Sequence, residues 1–258
     1  MARAGGVLLG ALTLVTVPAA AQTLELEGRY WPATLTAQVN VTGGHPDIPP
    51  SLTTINLKDD LGLKDKNLSD WRLTLCTGPH SKLRLGYVKM DYRADQAVQR
   101  TVVFNGTTYT VGTRVITKLG LDYWRLGWIW YFAGTSSDAV QVGSLLEAKT
   151  ISADASVSAP DLIPPALNAR KFSSTLPSVG LVLDVRPSHT VDIYVEASGV
   201  SAGTYGRGVD AEAGLKLAPV RNVSISGGYR YFDLEAKDTP DFAKIKNAGP
   251  YVGVGVNF

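Results

Sequence analysis

Beyond residue 22 the chain alternates apolar and polar residues with a period of two almost without a break, and no other feature of its 258 residues constrains the fold as much. In VDAEAGLKLAP (209–219), Val209, Ala211, Ala213, Leu215 and Leu217 fall on one side, and Asp210, Glu212, Gly214 and Lys216 on the other. NVSISGGYRYF and TVDIYVEAS repeat the pattern. A strand points successive side chains to opposite faces, so such runs are strands with one apolar and one polar face. Helical spacing is almost absent. The fold class is therefore all-β, and the 26 glycines, 11 tyrosines and 5 tryptophans suit it.

The links between runs alternate in kind. Tight turns fall at 78–82, 134–138, 186–189 and 219–222, and longer or more polar links at 42–68, 154–174, 202–207 and 237–247. Asn105-Gly106 adds a two-residue hairpin signal on the long-link side. Ten strands follow, with eight as the alternative count: roughly 23–41, 69–77, 82–104, 107–132, 139–153, 174–185, 190–201, 208–218, 223–236 and 248–258.

The N-terminus reads as an export signal. Arg3 precedes an apolar stretch from Val7 to Val17, and Ala19 and Ala21 form an A-x-A site. Residues 1–21 are expected to be cleaved, leaving 22–258 as one domain. The alternative, a membrane anchor, needs a longer apolar run. Past residue 22 no stretch of eighteen apolar residues exists. The single cysteine, Cys76, allows no intrachain disulfide, and a packed, inert thiol is expected despite His80 four residues on. A formal net charge of +2 without a dense basic stripe argues against nucleic acid as a partner.

An exported, even-stranded antiparallel sheet with short turns on one side and long loops on the other fits a closed up-and-down transmembrane barrel, both termini on the short-turn side. A sandwich would put the polar face in water instead. The final run, GPYVGVGVNF, favours the barrel: Val252, Val254, Val256 and Phe258 make one face purely apolar to the last residue. This ending resembles the C-terminal signature of bacterial outer-membrane barrels. Over the whole mature chain the pattern resembles the small monomeric barrels of the OmpA, OmpX and OmpW type, although ten strands departs from their eight. The resemblance implies an outer-membrane location with periplasmic termini, and Phe258 as an assembly signal read by the barrel-assembly machinery. It also implies outer-membrane lipid and lipopolysaccharide as surroundings.

The lipid face is then expected to carry Leu24, Leu26, Leu83, Leu85, Val191, Ile193, Leu215, Leu217, Val223, Ile225, Val252 and Val254. Trp128, Trp130 and Phe132 would build part of an interfacial girdle, the alternative being a soluble core cluster. The inward face holds Glu25, Glu27, Arg29, Arg72, Arg84, Glu147, Lys149, Asp184, Asp192, Glu196, Asp210, Glu212, Lys216 and Arg230. These eight acids and six bases should pair with one another in a narrow or plugged lumen rather than line a wide pore.

The third and fourth strands look unusually long. Lys82 to Phe104 is 23 residues, about 75 Å of strand, against an apolar band of about 25 Å. The hairpin over 93–115, with polar Arg93, Asp95, Gln96, Gln99, Arg100, Thr107 and Thr108, is expected to stand well clear of the outer leaflet. Two loops share Ile-Pro-Pro-x-Leu. Ile48, Leu52, Ile163 and Leu167 would form an apolar vestibule, or else fold back over the plug. NLKDDLGLKDKN (56–67) reads as a solvated loop. It also offers Asp59, Asp60 and Asp65 to Ca²⁺, or Lys58, Lys64 and Lys66 to lipid phosphates, without EF-hand spacing.

The expected role is a structural or passive outer-membrane barrel, admitting at most small or apolar solutes, monomeric, without cofactor or metal. The alternatives are a surface adhesin or receptor acting through the 93–115 hairpin, and a barrel hydrolase or lipid-modifying enzyme. Ten strands is also the count of the omptin proteases, which use rim His and Asp residues. Here only His45, beside Asp47, lies on the long-loop side, and GxSxG is absent.

Overall fold

The computed structural model describes residues 23–42, 49, 53–162, 164–201, 203–220, 222–238 and 241–258. The export signal, His45, Asp47, Ile48, Leu52 and Ile163 lie outside the described residues. The strands in chain order are β1 Leu24–Asn40, β2 Thr54–Asn56, β3 Lys66–Gly78, β4 Ser81–Ala97, β5 Val102–Phe104, β6 Thr107–Tyr109 and β7 Arg114–Ala133. They continue with β8 Val140–Ala159, β9 Ala166–Ser188, β10 Val191–Ser201, β11 Gly206–Val220, β12 Val223–Asp238 and β13 Asp241–Asn257.

Ten of these form a closed antiparallel barrel, in the order β1-β3-β4-β7-β8-β9-β10-β11-β12-β13, and β13 pairs back onto β1. Closure runs to the last residue: Phe258 N donates to Leu24 O at 2.8 Å. No sheet edge is left at the seam, as a strand wall in lipid requires.

The alternation does more than separate two faces; it changes sign along each strand. On β7, Arg125 and Tyr131 point inward below, whereas Val115, Leu119 and Leu121 point inward above, with Tyr123 between. Outward, Trp124, Leu126, Trp128, Trp130 and Phe132 lie below Asp122, Lys118 and Arg114. On β4 the switch falls between Tyr87 and Val88, and on β1 between Tyr30 and Trp31. The lower barrel is apolar outside and charged inside, and the upper barrel is apolar inside and polar outside. The exposed aromatics Tyr30, Trp71, Trp124 and Tyr229 mark the boundary with the half-buried Tyr87. Trp128, Trp130, Phe132 and Phe258 mark the lower rim.

Four expectations about the upper part are corrected. The third and fourth strands are not continuous to residues 104 and 107. β4 ends at Ala97, β7 starts at Arg114, and β5 and β6 make a separate hairpin. That hairpin does not stand clear: Val102, Val103, Phe104 and Tyr109 are buried. The physical reason is that VVF and Tyr109 gain more by covering the upper core than by facing water. The turn itself is as the sequence indicates, with Asn105 at φ 52° and Gly106 at φ 77°. Residues 154–174 are not a long loop. β8 runs to Ala159 and β9 begins at Ala166, paired throughout from Val140↔Val185 to Ala159↔Ala166. And 56–67 is not simply solvated: Leu57, Leu61 and Leu63 are buried with Ile55 in the same upper core.

The strands are unequal. β3 pairs with β4 only as far as Ser69↔Lys89, and β10 pairs with β9 only as far as Gly199↔Val179. The upper parts of β4, β7, β8 and β9 therefore rise as a four-stranded wall above the aromatic boundary. From Trp124 to Arg114 this is about 33 Å along the strand. Its inner face is covered by the β2 turn and the β5–β6 hairpin.

Candidate functional site

The lower lumen is built by parity. Arg29, Arg72, Arg125, Asp210, Glu212 and Arg230 come from five different strands and meet because each lies on the inward side at similar height. Arg230, 1% exposed, is the hub: Nη1 donates to Asp70 at 2.6 Å, and Nη2 and Nε fork onto Asp210 at 2.9 and 3.2 Å. Arg125 also donates to Asp210 at 3.2 Å. Glu212 accepts from Arg29 at 3.0 Å and from Arg72 at 2.7 Å, and Arg29 reaches Glu27 at 2.8 Å. Glu196 bridges Arg72 at 3.4 Å and Arg84. Lower still, Lys216 meets Glu25 at 2.9 Å and Lys82 meets Asp184 at 3.3 Å. Lys149 lies 3.3 Å from Glu147 and donates to Ser198 at 2.7 Å, and Arg186 lies 3.7 Å from Asp192.

All fourteen inward charges read from the sequence therefore sit inside this network. The reading missed Asp70, Lys82, Arg125 and Arg186, which bring acids and bases to nine each among the described residues. Parity could have found three of them. Asp70 is in step with Arg72, Lys82 with Arg84, and Arg125 stands between outward Trp124 and Leu126.

One row shows how side chains cross the lumen. Tyr194, Gly214, Gly228 and Tyr251 are register partners across β10, β11, β12 and β13. The two tyrosines lean over the two glycines and their hydroxyls hydrogen-bond. A Cβ on Gly214 would strike both rings' hydroxyl ends. The Arg29 guanidinium lies 4.6 Å above the Tyr251 ring and donates to Tyr194 at 3.2 Å. Cation, ring and carboxylates thus fill the cross-section.

Above this level the interior is largely apolar. Trp31 and Tyr92 pack with Met90, Leu119, Leu121 and the cap leucines, and Trp31 donates to Gly249 O at 3.2 Å. The Arg230 guanidinium lies 4.8 Å from the Trp31 ring, so the two halves touch there. The pocket at the junction, lined by Tyr123, Ile151, Leu176, Phe232 and Leu234, holds about 10 Å³, room for about one water. The cap is tied down by polar contacts. Arg100 Nε and Nη2 each donate to Asp60 at 2.8 Å, Asn105 N donates to Val41 O at 2.9 Å, and Asn168 Nδ2 donates to Tyr109 at 2.9 Å. Burial pushes the Tyr109 hydroxyl pKa up. At the cap's edge, hydrogen bonds from Lys58 and from the Leu35 amide hold the Asp65 carboxyl below the usual carboxylate range. Of the proposed vestibule, Leu167 is described. It stands 71% exposed on β9 rather than over the barrel mouth. His80 and His189 lie exposed in the short turns, at the end opposite the wall. Cys76 is half-buried, its amide donating to Thr23 O at 2.9 Å.

One solved structure superposes well enough to speak to architecture. The outer-membrane protease OmpT of Escherichia coli superposes with a TM-score of 0.52 at 7% identity, covering 92% of this chain and 97% of that one. This protein has the fold of an outer-membrane β-barrel. The attachment invasion locus protein Ail of Yersinia pestis, solved with the heparin analogue sucrose octasulfate, gives 0.40 at 13% identity over 92% and 99%. The toluene transporter TbuX of Ralstonia pickettii gives 0.30 at 9% identity over 92% and 89%. A family model described as YfaZ precursor matches residues 178–258, from late β9 through β13. No curated protein matches the chain. At these identities the likeness is one of fold.

Proposed function

We propose that this protein is an integral outer-membrane barrel with a sealed lumen, serving a structural role and holding a four-stranded wall at the cell surface. Both termini then face the periplasm. The observation that carries the reading is the filling of the barrel on both sides of the aromatic boundary. Paired charges occupy the lower half, and an apolar core under a two-part cap occupies the upper half. A wide conducting pore needs a continuous water path, and balanced charges that bond to each other leave little of one.

The test is planar-bilayer conductance of the refolded chain 22–258, with folding established by its resistance to SDS at room temperature. Folded protein should give no stable discrete steps. Regular steps would refute the sealed lumen and move the role toward solute passage.

One observation favours a second reading, surface recognition. On the side away from β8, the upper part of β9 has no strand partner among the described residues, and Phe172 there is 51% exposed despite its inward parity. An adhesive or receptor role would fall to this wall. The hairpin of 102–109 turns its apolar residues inward as a cap.

A further inference from the structure

The outer face of the wall carries a groove of about 670 Å³ just above the aromatic boundary. Its floor is Gly120 on β7, the register partner of Asp91 on β4 and of Asp154 on β8. With no side chain on the central strand, the neighbouring side chains form a rim around an open dish. The cations at that rim are Lys66, Lys89, Arg93, Lys118 and Lys171, Arg170 being turned to the inner face, against Asp91, Asp122 and Asp154.

Most of these charges are engaged. Lys89 lies 3.4 Å from Asp91, Lys171 lies 3.3 Å from Asp154, and Asp122 accepts from Tyr87 at 2.6 Å. Lys66 donates to the Asp91 carbonyl, and Arg170 donates to Asn105 at 2.7 Å. Two cations stand differently. Arg93 and Lys118 are direct register partners across β4 and β7. Among the described residues neither has a carboxylate within ion-pair distance. Of the two acids that stand two residues from Arg93 along its strand, Asp91 faces Lys89 at 3.4 Å, and Asp95 is taken by the Arg114 fork at 2.9 Å on both oxygens. Like charges directly opposite on a sheet repel, so the pair lowers its energy by sharing an anion.

The height of the groove says which anion. Lys89 is two residues above Tyr87, and Asp122 two above Trp124, whose ring packs 4.3 Å from Tyr87. Interfacial aromatics sit at the headgroup level, so the groove begins where an outer-leaflet headgroup lies. Its size suits a phosphorylated sugar.

We propose that Arg93 and Lys118 clamp a phosphate ester of a glycolipid headgroup of the outer leaflet, with Lys89 and Lys171 at its flanks. The proposal rests on the membrane reading above. The chain 22–258, folded in detergent, is titrated with diphosphoryl lipid A and separately with inorganic pyrophosphate, using native mass spectrometry. The double variant R93Q/K118Q is compared with K244Q/K246Q, which removes equal charge on β13. R93Q/K118Q should bind lipid A at least tenfold more weakly, and K244Q/K246Q within twofold of wild type. Pyrophosphate binding that is lost in R93Q/K118Q while lipid A binding stays within twofold of wild type would assign the clamp to free phosphate and overturn the lipid assignment. Equal lipid A binding by wild type and folded R93Q/K118Q overturns the site alone. Wild type that will not insert into lipid vesicles overturns the membrane reading and the site with it.

Discussion

The closed lower barrel and the open upper part that its longer strands build above it solve opposite problems. Below the aromatic boundary the exterior is Leu, Val and Trp, and the interior is guanidinium and carboxylate beside one small apolar cluster of Ile129, Tyr131, Leu145 and Val182. Above it the exterior is Lys, Asp and Arg, and the interior is Trp31, Met90, Tyr92 and Leu121. In the upper half water surrounds the wall, so burying apolar surface inside stabilises it, as in any soluble domain. On the membrane reading proposed above, hydrocarbon surrounds the lower half, and moving an apolar side chain from outside to inside gains little. Polar groups are costly facing lipid, so they collect inside and must satisfy one another. The comparison shows that strand alternation alone does not say which face is the core. The solvent outside decides.

Breaking the lower half should cost the most. Arg230→Leu leaves Asp70 and Asp210 short of their shared partner in a buried site. It should destabilise the barrel by about 3–5 kcal/mol, read as a lower urea midpoint in lipid vesicles. An unchanged midpoint would mean that water already screens the network. The boundary itself is tested by charge on one strand. Leu126→Lys, in the apolar belt, should cost about 2–4 kcal/mol near the bilayer midplane. Lys118→Leu, eight residues away on the same face, should leave the urea midpoint nearly unmoved. Equal effects at both positions would place the boundary elsewhere. The smallest effect belongs to the cap. Leu61→Ala should cost about 2 kcal/mol, the low end for a buried leucine, because a loop can settle into part of the cavity. It should speed protease cleavage within 98–113 without altering the barrel's resistance to SDS.

Much of this was legible from residues alone, because strand parity is a local property. The ten barrel strands, the short turns and the inward set from Glu25 to Arg230 follow from counting in twos. Asp70 and Arg125 were equally open to that counting, and were passed over beside the aromatics that flank them. The wall and cap were not legible in this way. FNGTTY reads as a polar tip, yet the VVF before it faces inward over the mouth. ALNARKFSS, within 154–174, reads as loop because its strand is polar and exposed along most of its length.

By itself, the sequence determined that this chain makes strands with charges on one side, since a period of two leaves no other regular structure. Tertiary structure alone decided that the apolar face changes sides at the aromatic row, and which strands outgrow their neighbours. It also decided that Arg93 and Lys118 stand opposite each other over Gly120. Register between distant strands and the folding back of a loop depend on contacts across the barrel, which no local pattern records.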